Sequence, residues 1–242
     1  MYMIDLPLDA AKLMRFAWGQ GHGRTADEDF GYAAHAWLAA TLGESAPKPF
    51  RLQENRHGLR LLGYTSSPLA ALAEQAHTYA DPSALAVCDW STAADKAMPA
   101  EWSTGRRLGF EVRVCPISRA ERERDIFLVA ISRAEAAGSA PPPSRPQVYA
   151  DWLARQLTTD DATTVETNAL RLIGFRRVRG QRNAHVESDI KQRGVERPDA
   201  LFTGEFTVRD ADAFARLLAR GIGRHRAFGF GMVLLRPPTM RV

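Results

Sequence analysis

The stretch that most constrains this chain runs from Gly221 to Gly231, where two Gly-x-Gly pairs bracket five residues that include Arg224 and Arg226. A helical pattern leads into it, and an apolar segment typical of a strand, 232–235, follows it. Glycine permits positive φ and close approach of the backbone, and arginine offers a planar fork that suits phosphate. The stretch therefore predicts a tight helix-to-strand turn that can hold an anionic backbone, with a purely structural turn as the alternative.

This glycine-rich stretch differs from the common nucleotide-binding motifs. The dinucleotide fingerprint follows a strand and opens a helix, and it requires a small residue where this chain has Arg226. A P-loop ends in Lys followed by Ser or Thr, and this stretch does not. The sequence also contains no His-Glu-x-x-His and no paired-cysteine motif. We therefore expect no cofactor and no metal.

Positive charge is concentrated in the second half of the chain. Segment 171–193 carries a net charge of +5 and segment 216–241 a net charge of +6, although the whole chain carries only +4. Such clustering is typical of a nucleic-acid site, and a solvated basic face is the alternative. The residues expected to contact nucleic acid are Arg176, Arg177, Arg179, Arg182, Lys191, Arg193, Gly221, Gly223, Arg224, Arg226, Gly229 and Gly231.

Hydrophobic periodicity predicts an α+β protein with two consecutive β-α-β-β-α-β units, which is the ferredoxin-like arrangement. The first unit, 1–92, has expected strands and helices, in chain order, at 2–7, 27–42, 50–53, 59–64, 69–79 and 85–90. The second unit, 106–242, has an insertion before its first helix and a basic hairpin inside it, and its elements are expected at 108–117, 147–157, 165–178, 184–190, 201–208, 211–220 and 232–235. Loops are expected at 15–26, at the proline-rich 138–146 and at the basic turn 179–182.

The composition is that of an ordinary globular protein, with 45% hydrophobic and 25% charged residues. No apolar run approaches the roughly 18 residues that a membrane-spanning helix needs. The first residues lack the basic start and apolar run of a signal peptide, so a cytoplasmic location is expected. Cys88 and Cys115 have no metal-like spacing and are expected to be buried, unpaired side chains.

Tyr32 and His35 form a second candidate site. They lie three residues apart on the first predicted helix, on a face that points away from the apolar stripe containing Ala34 and Trp37. A histidine and a tyrosine presented together can transfer protons near neutral pH. An ordinary surface pair is the alternative.

The glycine-rich stretch and its context resemble CasE, the type I-E family of CRISPR repeat-RNA endoribonucleases within the RAMP superfamily. The matching segments are the Phe202–Val208 strand, the Asp-capped helix, the loop and 232–237. Further matching features are the Met1-Tyr2 start, the Tyr32/His35 pair, 148–153 after a proline-rich loop, and Leu172–Arg177 followed by basic residues.

The resemblance implies metal-independent cleavage of the repeat hairpin in precursor CRISPR RNA. The ribose 2′-hydroxyl would attack the scissile phosphate, leaving a cyclic phosphate and a free 5′-hydroxyl. It also implies that His35 and Tyr32 are catalytic and that the mature crRNA is retained with the other subunits of a surveillance complex.

Two points stay open under this resemblance. Family members commonly carry a basic residue shortly after the histidine, and this chain does not, so Arg24, Arg51 and Arg226 are candidates for stabilising transition-state charge. Whether His35 acts as acid or base is also open. The competing hypotheses are a non-catalytic RNA-binding subunit of a CRISPR complex and a basic adaptor for another anionic partner.

Overall fold

The computed structural model describes residues 1–21, 30–56, 58–119, 123–138, 141–180 and 195–239. In these ranges the helices α1 to α7 are, in chain order, Ala10–Gly19, Phe30–Leu42, Leu69–Tyr79, Pro82–Leu85, Ile126–Ala136, Arg145–Leu157 and Ala211–Arg220. The strands β1 to β11 are Tyr2–Leu8, Phe50–Asn55, Gly58–Thr65, Ala94–Ala97, Arg107–Val114, Ile117–Arg119, Glu123–Asp125, Thr163–Thr164, Arg171–Gly180, Val195–Val208 and Val233–Arg236.

Two larger antiparallel sheets and a two-stranded sheet of β6 and β7 contain these strands. The first has the strand order β2-β3-β1-β4. The second has the order β11-β5-β10, and β9 pairs with β10 along most of its length. In each unit the fourth strand pairs with the first strand. The third strand lies between the first strand and the second strand. Both units therefore have the same topology, and the predicted tandem ferredoxin-like fold is confirmed.

Each unit buries its own apolar core. In the first, α1, α2 and α3 cover one face of the sheet, and Trp37 on α2 is fully buried there. In the second, α6 and α7 contribute Tyr149, Leu153, Phe214 and Leu218 to a core that the strands complete. The apolar stripe predicted for α2 is thus confirmed, and so is the burial of both cysteines.

The expected loop at 15–26 is wrong over its first residues, because α1 extends from Ala10 to Gly19. Asp9 caps this helix by accepting a hydrogen bond from the Lys12 N–H. Leu13, Phe16 and Ala17 are its buried residues, at spacings that define one helical face.

The fourth strand of the first sheet is not at 85–90. Residues 82–85 form the short helix α4, and Cys88 makes only an isolated bridge to Leu8. The strand is β4, which pairs with β1. All four residues of β4 are exposed, so the alternation that marks a half-buried strand is missing from its sequence. We now propose that the first unit extends to Ala97.

Three strand boundaries of the second unit differ from the expectation, and one of them is the start of β10, which lies at Val195 and not at 201. The strand predicted at 108–117 ends at Val114, and β6 begins after Pro116, which has no N–H to donate. The strand predicted at 165–178 is replaced over 167–169 by a 3-10 turn, and β9 begins at Arg171. The expected strand at 184–190 and the first residues, 27–29, of the helix predicted at 27–42 lie outside the described residues.

The second face of the first sheet packs against the second unit. Along β3, Leu59 and Leu61 belong to the first core, whereas Leu62 and Tyr64 pack with the second. The Tyr64 hydroxyl donates a hydrogen bond to the Val233 carbonyl at 2.8 Å. Burial raises the pKa of Tyr64 well above its usual value, so the hydroxyl stays protonated and remains a donor.

Arg51 and Glu111 form a second link between the units. The guanidinium of Arg51 on β2 lies 2.5 Å from the carboxylate of Glu111 on β5, and both side chains are about nine-tenths buried. Arg236 on β11 also pairs with Glu111. Charged groups are therefore held at the contact between the two sheets, where removal of Glu111 would leave the buried Arg51 guanidinium without its ion-pair partner.

Replacing Tyr64 with Phe tests the first link. Tyr64→Phe should lower the free energy of unfolding by about 1–2 kcal/mol, because the Val233 carbonyl loses its buried donor. Urea titration followed by circular dichroism measures this change. Tyr79→Phe is the matched control, since Tyr79 is 80% exposed and its substitution should change little. Equal stability of Tyr64→Phe and the native protein would contradict the structural role of this hydrogen bond.

Candidate functional site

The orientation of α2 is fixed by the side of the helix that faces the core. Trp37 is fully buried, and its indole N–H donates to the Ala84 carbonyl at 2.8 Å. Ala34 is buried beside it. Tyr32 and His35 are half-buried, and both contact Phe228 of the second unit. The predicted placement of the pair off the apolar stripe is therefore correct, but the pair is covered by another part of the chain.

The glycine-rich stretch is closed by its own backbone. The Ile222 N–H donates to the Gly231 carbonyl at 2.8 Å, and the Gly231 N–H donates to the Arg113 carbonyl of β5 at 2.7 Å. Gly231 has a φ of +79°, and a Cβ placed on it would lie 2.2 Å from the Ile222 carbonyl oxygen. Only glycine fits this crossing of two backbone segments.

The other glycines of the stretch also serve close packing within the protein. Gly221 and Gly223 have φ values of +72° and +70°, and a Cβ on them would lie 2.8 Å from Pro49 and 2.9 Å from Trp152, respectively. Gly229 has a φ of +85°. These backbone conformations explain why glycine occupies these positions. Contact between their backbone and RNA stays a prediction.

The loop presents Phe228 to α2. Residues Arg226–Phe228 form a 3-10 turn that starts after His225, whose φ is +60°. The ring of Phe228 stacks on Tyr32, with centroids 5.8 Å apart and an angle of 6° between the planes. It meets His35 at 4.9 Å and 63°. The two candidate sites found in the sequence therefore meet in space, through a residue that the sequence analysis did not select.

One feature of the sequence indicates that Phe228 has a particular role. It lies in the five-residue interval between the two glycine pairs, where an aromatic side chain is unexpected if the interval serves only to bind phosphate. Its partner on the N-terminal helix could not be inferred without the tertiary structure.

The carboxylate of Glu123 on β7 contacts basic side chains next to the 3-10 turn Arg226–Phe228. Its carboxylate lies 3.2 Å from the Arg224 guanidinium and 3.1 Å from the His225 imidazole. Arg197 on β10 approaches it at 3.8 Å. Burial lowers the pKa of His225, and the nearby Arg197 lowers it further, although Glu123 opposes both effects. The neutral imidazole is therefore favoured in the folded protein.

The three arginines suggested for transition-state stabilisation have different positions. Arg24 lies outside the described residues. Arg51 is paired with Glu111, and its Nε and Nη1 atoms are buried without a hydrogen-bond partner. Burial lowers the pKa of Arg51. Arg226 donates to the Arg220 carbonyl at the end of α7.

Besides Arg224 and Arg226 of the glycine-rich loop, the predicted RNA-binding arginines that the structure describes lie along β9. Arg176 is 68% exposed, and its guanidinium pairs with Asp199, which also accepts two hydrogen bonds from Arg113. Burial would raise the pKa of Asp199, but the hydrogen bonds and charges of the two arginines lower it overall. Arg177 lies 3.6 Å from Glu196. The backbone of Arg179 belongs to β9, and Arg182, Lys191 and Arg193 lie outside the described residues.

Within the described ranges, no three His, Cys, Asp or Glu side chains are grouped closely enough to hold a metal ion. None of the helices in those ranges combines the length and the apolar character needed to cross a membrane.

The glycine-rich loop of the second ferredoxin-like unit thus packs on the helix of the first unit that carries Tyr32 and His35. The chain matches the family model described as CRISPR associated protein over residues 1–237, and it belongs to this family. The family resemblance seen in the sequence is thereby confirmed. No match was found among curated protein sequences.

Solved structures share the fold. A CRISPR endoribonuclease Cse3 bound to a 19-nucleotide RNA is similar with a TM-score of 0.66 and 18% identity, over 98% of this chain and 100% of that chain. Thermus thermophilus Cse3, bound to an RNA representing a pre-cleavage complex, gives 0.60 and 17%, over 98% of each chain. A chain of a CRISPR RNA-guided surveillance complex in a pre-nicking state gives 0.56 and 14%, over 98% of this chain and 100% of that chain.

Substitution of Gly231 tests the backbone crossing. Gly231→Ala should cost at least about 2 kcal/mol of unfolding free energy, because the added Cβ collides with the Ile222 carbonyl at a positive φ. Gly19→Ala is the control, since nothing lies within 4 Å of its added Cβ. That change should be neutral or stabilise α1 by up to about 1 kcal/mol. Equal effects of the two substitutions in urea titrations would contradict this account.

The environment of His225 predicts a pH dependence of stability. Its pKa is lowered from 6.5 in the folded state, so below that pH the unfolded chain binds more protons and stability decreases. Asn at 225 does not titrate and tolerates positive φ. The stability of the native protein relative to His225→Asn should therefore decrease between about pH 8 and about pH 5.5, by at most about 1.4 kcal/mol per pH unit. A difference that stays constant over this range would show that His225 is not held neutral.

Proposed function

We propose that this chain is an endoribonuclease that cleaves the repeat hairpin of precursor CRISPR RNA and retains the mature crRNA as a subunit of a surveillance complex. One observation carries the proposal. The glycine-rich loop, selected for anion binding, lies directly on the helix face of Tyr32 and His35, selected for proton transfer. A substrate held by the loop would have its backbone next to both groups.

The structural neighbours support this assignment. Two of them are Cse3 endoribonucleases bound to RNA, and a third is a chain of an RNA-guided surveillance complex. Each is covered almost completely by this chain. Proteins with the same two-unit fold therefore bind RNA and occur in a surveillance complex, which supports both parts of the proposal.

The chemistry follows from the substrate. The ribose 2′-oxygen attacks the adjacent phosphorus, the bond from phosphorus to the 5′-oxygen breaks, and a cyclic phosphate and a 5′-hydroxyl result. One proton must leave the 2′-hydroxyl and one must reach the 5′-oxygen. His35 and Tyr32 are the groups that we assign to these transfers. Because the nucleophile belongs to the RNA, the protein supplies orientation and proton transfer, and we propose that it needs no metal.

Charge that develops on the phosphate requires a cation. Arg51 is an unsuitable candidate, because its guanidinium is buried and already paired with Glu111. Arg226 lies in the same turn as Phe228, and its bond to the Arg220 carbonyl can be exchanged for a phosphate oxygen. We therefore favour Arg226 of the two, and Arg24 stays a further candidate.

The RNA stem requires a basic surface. RNA duplexes are recognised mainly through shape and backbone, because the major groove is deep and narrow. Arg176 and Arg177 of β9 are both exposed, on opposite faces of the strand, and β9 leads towards the basic segment 179–193. We propose that this edge of the second sheet, formed by β9, binds the stem, with the scissile phosphate at α2.

Replacement of His35 tests whether the protein cleaves the RNA or only binds it. His35→Ala should reduce single-turnover cleavage of a repeat hairpin about 100-fold or more, while the Kd for the hairpin changes by less than about threefold. The assay contains EDTA, and a hairpin with a single 2′-deoxy sugar at the cleavage site should resist the native protein. His77→Ala is the matched control, because His77 is an exposed histidine of α3. Full cleavage by His35→Ala in EDTA would overturn the assignment of His35 as a catalytic residue.

A sulfur substitution at the leaving group assigns the role of His35. If His35 protonates the 5′-oxygen, a hairpin with sulfur in that position should restore cleavage by His35→Ala, because a thiolate leaves without a proton. If His35 instead deprotonates the 2′-hydroxyl, the sulfur hairpin should remain as poor a substrate for this variant as the natural one.

A further inference from the structure

Phe228 occupies an unusual position between the two candidate parts of the site. It belongs to the glycine-rich loop, yet its ring contacts both Tyr32 and His35 of α2. A third aromatic group, His225, lies 6.1 Å from the same ring. One side chain thus contacts every group that we assign to proton transfer, although it carries no proton-transfer chemistry itself.

We propose that Phe228 is a positioning residue, which holds the side chains of His35 and Tyr32 in the orientation that cleavage requires. This inference rests on the proposed endoribonuclease function. It gives the glycine-rich loop a role in the chemistry that is separate from phosphate contact.

The backbone of Phe228 is fixed on both sides. Its N–H donates to the His225 carbonyl at 2.8 Å, and the residues that flank the 3-10 turn, His225 and Gly229, both have positive φ. Three residues after Phe228, the N–H of Gly231 donates a hydrogen bond to the Arg113 carbonyl of β5. The side chain also packs on a small buried cluster formed by Cys115, Ile117 and Phe230. The ring is therefore a rigid surface against which mobile side chains can be ordered.

The geometry restricts the two partner side chains in different ways. The nearly parallel stacking on Tyr32 limits rotation of the phenol out of that plane. The steep angle to His35 limits the imidazole to orientations that keep an edge-to-face contact. A displacement of about 1 Å in a catalytic group can reduce a rate about 100-fold, so such restriction has a measurable effect on the chemical step.

The first experiment measures cleavage and binding separately for Phe228→Leu and Phe228→Tyr. Leucine keeps an apolar side chain but removes the ring, so the single-turnover rate should fall about 10- to 100-fold while the Kd for the hairpin changes less than about threefold. Tyrosine keeps the ring and should recover most of the rate. Tyr79→Leu is the control for the loss of an aromatic ring, because Tyr79 is 80% exposed at the end of α3, and its rate should stay near the native value.

The second experiment needs no activity. The carbon-bound imidazole protons of His35 sense the ring current of Phe228, so their NMR resonances in the free protein should shift in Phe228→Leu and return towards their native positions in Phe228→Tyr. His35→Gln and His225→Asn identify the relevant signals among the six histidines.

The outcomes separate this inference from the proposed function. Normal cleavage by Phe228→Leu would overturn the positioning role and leave the endoribonuclease assignment intact. A cleavage rate that falls only in proportion to the affinity for the hairpin would also overturn the positioning role. It would indicate instead that the ring binds RNA. His35 resonances that stay in place would disprove the contact itself. No cleavage by the native protein would overturn the proposed function, and the catalytic role of Phe228 with it.

Discussion

The backbone crossing of Ile222 and Gly231 is the constraint on which the site depends. It closes the glycine-rich loop, and the Gly231 N–H extends the connection to Arg113 on β5. The intervening residues cannot spread over the surface and instead form the compact turn that ends in Phe228. Because this turn packs on α2, residues near opposite ends of the chain become neighbours. The contact between the two units is therefore also the place where the site is assembled.

The distribution of charge in space differs from its distribution along the sequence. The two basic segments of the chain suggest a strongly positive surface, but several of their arginines are matched by carboxylates from other strands. Arg224 pairs with Glu123, and Arg176 pairs with Asp199. An arriving phosphate must compete with these carboxylates, which in turn hold the guanidinium groups in defined positions. Charge counted along the chain thus locates the basic elements but overstates the field that an RNA would meet.

Sequence patterns predicted those elements in which one face is buried. The strands β1, β3 and β10 and the helices α3 and α7 were found because apolar residues recur in them at period 2 or 3.6. Strand β4 was missed because all its residues are exposed, and its pairing with β1 depends on the backbone alone. For the site, helical spacing was enough to join Tyr32 with His35. The approach of Phe228 depends on how the two units pack, which no local pattern contains.

The geometry also changes how the glycine-rich loop can meet an anion. A backbone anion site needs N–H groups that point into a common space. The N–H groups of Ile222, Phe228 and Gly231 are already donated to carbonyl oxygens within the protein. The side chains of Arg224 and Arg226 are therefore the more suitable donors to phosphate, because a guanidinium can exchange a carboxylate or carbonyl partner for a phosphate oxygen. On this argument the glycines shape the loop, the arginines are the groups that we propose to bind RNA, and Phe228 connects the loop to the two residues of α2 to which we assign proton transfer.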